Sequence, residues 1–154
     1  MRLRQECMSF HDNENEIFHY NDFQNIMEQL MYIRKDEFCN IVNKIHDIPC
    51  FISNETGNII YVNKHWEILC QYNSHEVLGK DFSFLQGKQT NIDTCRKFKK
   101  DLFEFGYSSM ENINYNKKNE PIKLLIKANK INYYDNAIIM YDNYPYFFTA
   151  LEKL

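Results

Sequence analysis

At the centre of the chain lies the stretch Gly79-Lys80-Asp81-Phe82-Ser83-Phe84-Leu85-Gln86-Gly87. Its apolar residues stand among charged ones, and a glycine brackets it at each end as a turn residue. We therefore predict a short helical turn that buries an aromatic and an aliphatic side chain. Just upstream, Trp66 and Leu69 are three residues apart, which places both on one face of a helix. Both stretches thus predict short helices with one buried face.

The segments around this stretch alternate between strand and helix patterns. Strands are predicted at 49–54 and 59–62, joined by a turn, and helices at 64–72, 74–78 and 82–86. Thr90 or Asn91 caps a further helix that runs to about residue 104 and ends before Gly106. The apolar residues of its buried stripe are Cys95, Phe98, Leu102 and Phe105. Strands follow at 107–115 and 121–131, and a last strand at 137–141, at 146–151, or at both. This order predicts an α+β fold, with a five-stranded antiparallel sheet and helices on one face.

Over about residues 48–151 these features resemble a PAS domain of the light-oxygen-voltage (LOV) type. The motif of that family is G-R-N-C-R-F-L-Q-G, and its second half matches residues 84–87 letter for letter. The resemblance implies the PAS fold and a pocket for flavin mononucleotide (FMN) between the sheet and the helices. The photoactive cysteine of the motif falls on Phe82, so photochemistry through a cysteine adduct is excluded at this position.

The flavin pocket that the resemblance implies is only partly kept. Gln86 is retained, and Asn114 matches the asparagine of the family's N-Y-x-K-x-G strand motif. The two arginines that bind the phosphate fall on Ser83 and on Lys99, which keeps the charge without the bidentate fork. The asparagine before the cysteine falls on Asp81, whose carboxylate has no amide hydrogen to donate.

Two further ring contacts of the family are also replaced. The second strand asparagine falls on Leu124, and the last-strand glutamine on Leu151 or, in the other register, near Asp142. Each lost donor leaves a buried flavin atom unpaired, which weakens the binding free energy by about 1–3 kcal/mol per group. We therefore expect weak or no flavin binding, with no cofactor as the first expectation and FMN as the alternative.

Two functions follow from these residues. The first is a non-catalytic sensory or protein-interaction module, with a pocket narrowed by Phe51, Phe82 and Leu124 and open at most to an apolar ligand. The alternative is a cysteine-free FMN photoreceptor for blue light, in which Trp66 or a tyrosine donates an electron to the flavin. A third, simpler interpretation is a remnant of the fold, or a fragment of a larger sensor, without a ligand.

The predicted domain organisation has three parts. Residues 1–20 form a polar mobile tail, 21–47 a flanking helix, and 48–154 the PAS/LOV-like domain. In 22–46 apolar residues recur at three- and four-residue steps, which predicts an amphipathic helix of about 25 residues. This helix either packs on the outside of its own sheet or, together with the sheet face, binds a partner protein or a second copy. Both alternatives stay open.

Composition argues against several classes of protein. With a net charge of -3 and charges of both signs interspersed, the sequence predicts no basic surface for binding nucleic acid or an anionic membrane. The five cysteines include no C-x-x-C pair and the first residues no apolar signal core, which predicts an intracellular protein, in cytoplasm or nucleus. We expect neither an enzyme nor a metal site, because no catalytic motif or ligand cluster stands out. The helix at 91–104 also lacks the histidine that haem-binding PAS domains use.

Overall fold

The computed structural model describes residues 35–131 and 145–154 of the chain. The helices are α1 (Lys35–Asp47), α2 (Lys64–Cys70), α3 (Ser74–Val77), a 3₁₀ helix (Phe82–Leu85) and α4 (Ile92–Phe105). The strands are β1 (Cys50–Ser53), β2 (Ile59–Val62), β3 (Tyr107–Tyr115), β4 (Pro121–Lys130) and β5 (Phe147–Lys153). The predicted order of strands and helices is confirmed. Of the two segments predicted for the last strand, 146–151 overlaps β5, and 137–141 lies outside the described residues.

The five strands form one antiparallel sheet, as predicted, and their order in it is β2-β1-β5-β4-β3. The last strand, β5, is the central one and joins the β1–β2 hairpin to the β3–β4 hairpin. Cys50 pairs with Ala150, and Leu124 pairs with Lys153. In the turn between β3 and β4, Asn119 takes the left-handed conformation with φ 62°, which asparagine adopts more readily than most residues.

The core on the inner face of the sheet contains both stretches from which the fold was predicted. Trp66 in α2 is fully buried and Leu85 in the 3₁₀ helix is 1% exposed. They belong to one cluster with Phe51 of β1, Leu124 of β4 and Leu151 of β5. Helices α2 to α4 therefore cover this face, which agrees with the predicted α+β arrangement.

The outer face of the sheet packs against α1. Ile41 of α1 is 2% exposed and belongs to a second cluster with Ile52 and Phe148. The described part of the predicted 22–46 helix thus packs on its own sheet, which was one of the two alternatives. Residues 22–34 lie outside the described residues, and the partner-binding alternative stays a prediction. Within the described ranges, every helix is too short or too polar to cross a membrane.

Helix α4 begins and ends as its sequence predicts. The side chain of Asn91 accepts a hydrogen bond from the backbone N–H of Thr94 at 3.0 Å, and Gly106 ends the helix with φ 73°. On the predicted stripe, Leu102 is buried. The prediction for Phe105 is wrong, because this last residue of the helix is 71% exposed. The three- and four-residue period identifies the inward side of a helix, but it gives no information on where the underlying sheet stops.

One buried amide, that of Asn63, links α1, β1 and α2. Its Oδ1 accepts hydrogen bonds from the backbone N–H groups of Trp66 at 2.9 Å and Cys50 at 3.0 Å. Its Nδ2 donates to the carbonyl oxygens of Ile45 at 2.8 Å and Ile48 at 2.7 Å. Asn63 is only 2% exposed, so these four bonds satisfy its amide without solvent.

Candidate ligand pocket

A cavity of about 110 Å³ lies between the inner face of the sheet, the 3₁₀ helix and α4. Six of the seven positions predicted for a flavin pocket line it: Asp81, Phe82, Ser83, Gln86, Lys99 and Asn114. The seventh, Leu124, is fully buried in the neighbouring core and is not part of the wall. The fold therefore brings the predicted positions to one place, while their role in binding a cofactor stays a prediction.

The ring of Phe82 occupies one side of this cavity. It stacks on the ring of Phe51, with centroids 4.8 Å apart and planes 20° apart. Phe51 and Ser53 both line the cavity, as expected from their alternation on β1. The position of the family's photoactive cysteine thus carries an aromatic ring packed against the sheet.

An ion pair lies on the wall where the resemblance implies a phosphate site. Lys99 Nζ donates to Asp81 Oδ2 at 3.1 Å, and Gly57 lies next to both side chains. A Cβ added at Gly57 would lie 3.3 Å from that carboxylate oxygen. Burial acts to raise the pKa of Asp81, but hydrogen bonds from Ser83 and Lys99 and the lysine charge lower it overall. The ion pair therefore brings together the two charged side chains of the cavity wall.

Asn114 supplies a hydrogen-bond donor without a partner. The residue is 3% exposed, and its Nδ2 has no hydrogen-bond acceptor among the residues that the structure describes. Asn114 lies on β3 among residues whose side chains alternate between buried and less buried positions, and it lines the cavity. An unsatisfied buried donor is costly, so native proteins usually give it a partner.

Cys95, predicted to lie on the buried stripe of its helix, contributes a thiol to the same wall. Its Sγ lies 3.1 Å from Nδ2 of Asn112. Burial raises the pKa of this thiol, and hydrogen bonds from Asn112 and Gln86 reduce the shift only in part. Because the thiolate is the reactive form, Cys95 is a poor nucleophile near neutral pH.

Asn112 fixes the start of α4 against β3, and sequence reasoning missed it. Its Oδ1 accepts from the backbone N–H groups of Asn91 and Ile113, each at 2.9 Å, and its Nδ2 donates to the carbonyl of Asn91 at 2.9 Å. Helix α4, which carries Lys99, is thereby held against the strand. An asparagine at an inward position of a strand, two residues before Asn114, is the sequence signal that could have identified it.

The remaining ring-contact positions are apolar. Strand β5 contains Leu151, which is 1% exposed and packs in the inner core with Leu124. Asp142, the position in the other register, lies outside the described residues.

In the described part of the chain, no three His, Cys, Asp or Glu side chains come together as metal ligands.

Comparisons with known proteins agree with this architecture. The profile of the PAS domain family matches residues 47–142. The LOV domain of a blue-light-activated histidine kinase from Erythrobacter litoralis superposes with a TM-score of 0.61 at 19% identity, covering 70% of this chain and 96% of that one. The dark structure of the LOV domain of the photoreceptor Aureochrome1 gives 0.63 at 16% identity, covering 75% and 80%. No curated protein sequence matches significantly. The match over most of the chain, together with the sheet order and the covering helices, means that this chain belongs to the PAS domain family.

Proposed function

We propose that this chain is a non-catalytic sensory or protein-interaction module of the LOV type whose pocket does not hold FMN tightly. The observation that carries the proposal is the stacked pair of Phe82 and Phe51 beside a cavity of about 110 Å³. Ligand pockets are usually about 300–1,000 Å³. FMN has three fused rings and a phosphorylated chain, so the residues present do not fit it without displacing aromatic side chains.

The ion pair of Asp81 and Lys99 supports the same conclusion. A phosphate binding to Lys99 would have to displace the carboxylate that lies 3.1 Å from the ammonium, or remain close to it at a repulsive distance. Ser83 adds no positive charge on this side. The charge-assisted bonds that would favour a phosphorylated ligand are therefore weakened.

The apolar residues at the ring-contact positions also argue against tight binding of FMN. Leu124 and Leu151 cannot donate hydrogen bonds to a flavin carbonyl. Each unpaired buried flavin atom would cost about 1–3 kcal/mol, so two such positions alone weaken binding by an order of magnitude or more.

Strand β1 offers a route from the pocket to a partner surface. Phe51 lines the cavity, whereas Ile52, the next residue, packs with Ile41 of α1 on the opposite face. A shift of β1 that follows occupation of the cavity would therefore change the docking of α1. A partner protein or a second copy would bind the helix at 22–46 and the sheet face.

A cysteine-free FMN photoreceptor is the second candidate. Gln86 and Asn114 both line the cavity and keep the amide side chains of the family's two motifs. Trp66 lies fully buried in the inner core as a potential electron donor.

An absorption spectrum of the protein, purified after expression with riboflavin supplied, tests the proposal. We expect no flavin band in the blue region from a protein whose circular dichroism shows that it is folded. The control variant carries Asp81→Asn, Phe82→Cys and Ser83→Arg, all on the cavity wall, and should retain more flavin than the wild type. A stoichiometric flavin band in the wild type would overturn the proposal in favour of the photoreceptor.

A further inference from the structure

Strand β3 lies at one edge of the sheet, and the hydrogen bonds at its two ends show which of its backbone groups face outward. The backbone N–H of Lys130 donates to the carbonyl of Gly106 at 2.8 Å, and that of Asn116 donates to Glu120 at 3.0 Å. The register between these two bonds is continuous, so the even-numbered residues of β3 are the ones that bond to β4. The N–H and C=O groups of the odd-numbered residues therefore point away from the sheet.

Elsewhere the chain covers the outward groups of its edge strands. Ile113 of β3 donates its N–H to the side chain of Asn112 and accepts a hydrogen bond from the hydroxyl of Thr90 on its carbonyl. At the opposite edge, the N–H and C=O of Ile59 in β2 bond to the backbone of residues 79–80, at 2.9 and 2.7 Å. Such covering prevents an edge strand from pairing with another chain.

The first half of β3 has no such cover. In the described ranges, the outward N–H and C=O groups of Tyr107, Ser109 and Glu111 have no hydrogen-bond partner. The side chains of these three residues are exposed as well. The stretch 107–111 contains no proline, lysine or glycine, and its register has no bulge, although these features commonly protect an edge. It is therefore an open site for a further strand.

We propose that this open edge pairs with the same edge of a second copy of the chain, as two antiparallel strands related by a two-fold axis at Ser109. In this register Ser109 faces its own equivalent, and Tyr107 of each copy faces Glu111 of the other. Each of the three pairs exchanges two hydrogen bonds, so every open group finds a partner. Other two-fold registers either leave an open residue unpaired or place it opposite Ile113, whose groups are already bonded.

The charges of this edge suit a second copy. Glu111 is the one charged residue of the stretch 107–111, and in the paired strands it lies opposite the uncharged Tyr107. Its own charge is balanced within the chain by Lys123, whose Nζ is 3.7 Å from the carboxylate. Like charges therefore do not face each other across the two-fold axis, where they would be destabilising.

A two-fold pair also ends the assembly. Antiparallel pairing of identical edges uses the open edge of both copies, so the dimer presents no further copy of this site. Five residues from each copy are far fewer than the roughly 20–30 a side of a stable interface, so the dimer is weak and forms at high protein concentration. This surface is distinct from the helix at 22–46 and the sheet face, and the inference goes beyond the proposed function.

The test measures the mass of the full chain by sedimentation over a concentration series, with two substitutions at the axis. Ser109→Pro removes the outward N–H and places the ring where the second strand would lie, but it breaks no bond to β4. We expect it to weaken dimerisation by at least about 10-fold, since it removes both bonds of the central pair. Ser109→Ala is the matched control, which keeps the backbone donor and should dimerise as the wild type does.

A second variant covers the case in which Ser109→Pro does not fold. Ser109→Lys changes an exposed side chain, and it places two like charges opposite each other at the axis. We expect it to remain a monomer at concentrations at which the wild type dimerises.

Amide hydrogen exchange identifies the residues involved. In the wild type, exchange at Ser109 and Glu111 should slow as the protein concentration rises. Ser108 and Met110, whose N–H groups bond to β4, should be protected at every concentration and serve as an internal reference.

Three outcomes would overturn the inference. They are a wild type that stays monomeric up to millimolar concentration, a dimer that neither Ser109→Pro nor Ser109→Lys weakens, and slow exchange at Ser109 in dilute protein. The last would mean that another segment of the same chain already covers the edge. Each outcome leaves the proposed function standing, whereas a flavin band would contradict that function and leave the pairing of β3 intact.

Discussion

Replacement of Asn63 by alanine is expected to be among the most destabilising single substitutions in this domain. The substitution removes four hydrogen bonds at once, two accepted from backbone N–H groups and two donated to backbone carbonyls. The amide is 2% exposed, so the groups that lose it lie where water has little access.

The magnitude follows from these contacts. At about 0.5–1.5 kcal/mol net for each bond, four bonds amount to about 2–6 kcal/mol. We expect a loss of about 4 kcal/mol, a large part of the roughly 5–15 kcal/mol by which domains are stable. Part of this loss falls on the attachment of α1, because two of the bonds reach the carbonyl oxygens of Ile45 and Ile48.

Asn91→Ala is the matched control. Asn91 is also an asparagine at the N-cap position of a helix, but it is exposed and its side chain accepts one hydrogen bond, from the backbone N–H of Thr94. Its loss should cost about 1 kcal/mol. Urea unfolding monitored by the fluorescence of Trp66, the single tryptophan, gives both free energies of unfolding.

An intermediate variant keeps the test informative if Asn63→Ala does not fold. Asn63→Ser retains a hydroxyl that can cap α2 through the N–H of Trp66 but is too short to reach the carbonyls of α1. It should recover only the capping part, about 1 kcal/mol. The reasoning is refuted if Asn63→Ala costs no more than Asn91→Ala, or if serine at position 63 is as stable as asparagine.

Three further predictions concern the pocket and its surroundings. The pKa of Asp81 lies below its ordinary value of 3.8, so its contribution to stability is full above that value and is lost as the pH falls through the lowered pKa. In Lys99→Met the loss of stability at low pH should be smaller than in the wild type. The difference should be less than about 1 kcal/mol, because the ion pair is exposed. Urea unfolding midpoints measured as a function of pH test this. Gly87→Ala should cost about 1–3 kcal/mol, because its Cβ would overlap the ring of Tyr115, and a Tyr115→Ala background should relieve the cost in a double-mutant cycle. Phe82→Cys alone should show no light-reversible absorbance, and such a signal in that variant would mean that the remaining contacts bind flavin.

Local patterns in the sequence predict most of the fold. The helical spacing of Trp66 and Leu69, the two glycines around the 3₁₀ helix and the alternation along β3 each depend on residues a few positions apart. The predicted bounds of β3, 107–115, agree with the structure because a polar turn and Gly106 delimit the strand. Such elements are determined by their own residues, so sequence reasoning reaches them.

Contacts between distant residues account for what the sequence does not predict. Three of the four bonds of Asn63 reach residues 13 to 18 positions away, and Lys99 meets Asp81 across 18 positions. Resemblance to the family located the candidate pocket, yet the packing of Phe82 on Phe51 depends on how a helix and a strand meet. The size of the cavity and the unpaired donor of Asn114 likewise follow from three-dimensional packing, which no local pattern encodes.

The central position of β5 has a consequence for how the domain folds. Cys50 pairs with Ala150, a hundred residues further along the chain, and β5 alone joins the two hairpins within the described sheet. The β1–β2 and β3–β4 hairpins can form early from local contacts, but the sheet closes only when β5 inserts between them. Closing so long a loop is a slow step. During synthesis on the ribosome, the domain would remain two unjoined halves with exposed strand edges until its last strand emerges.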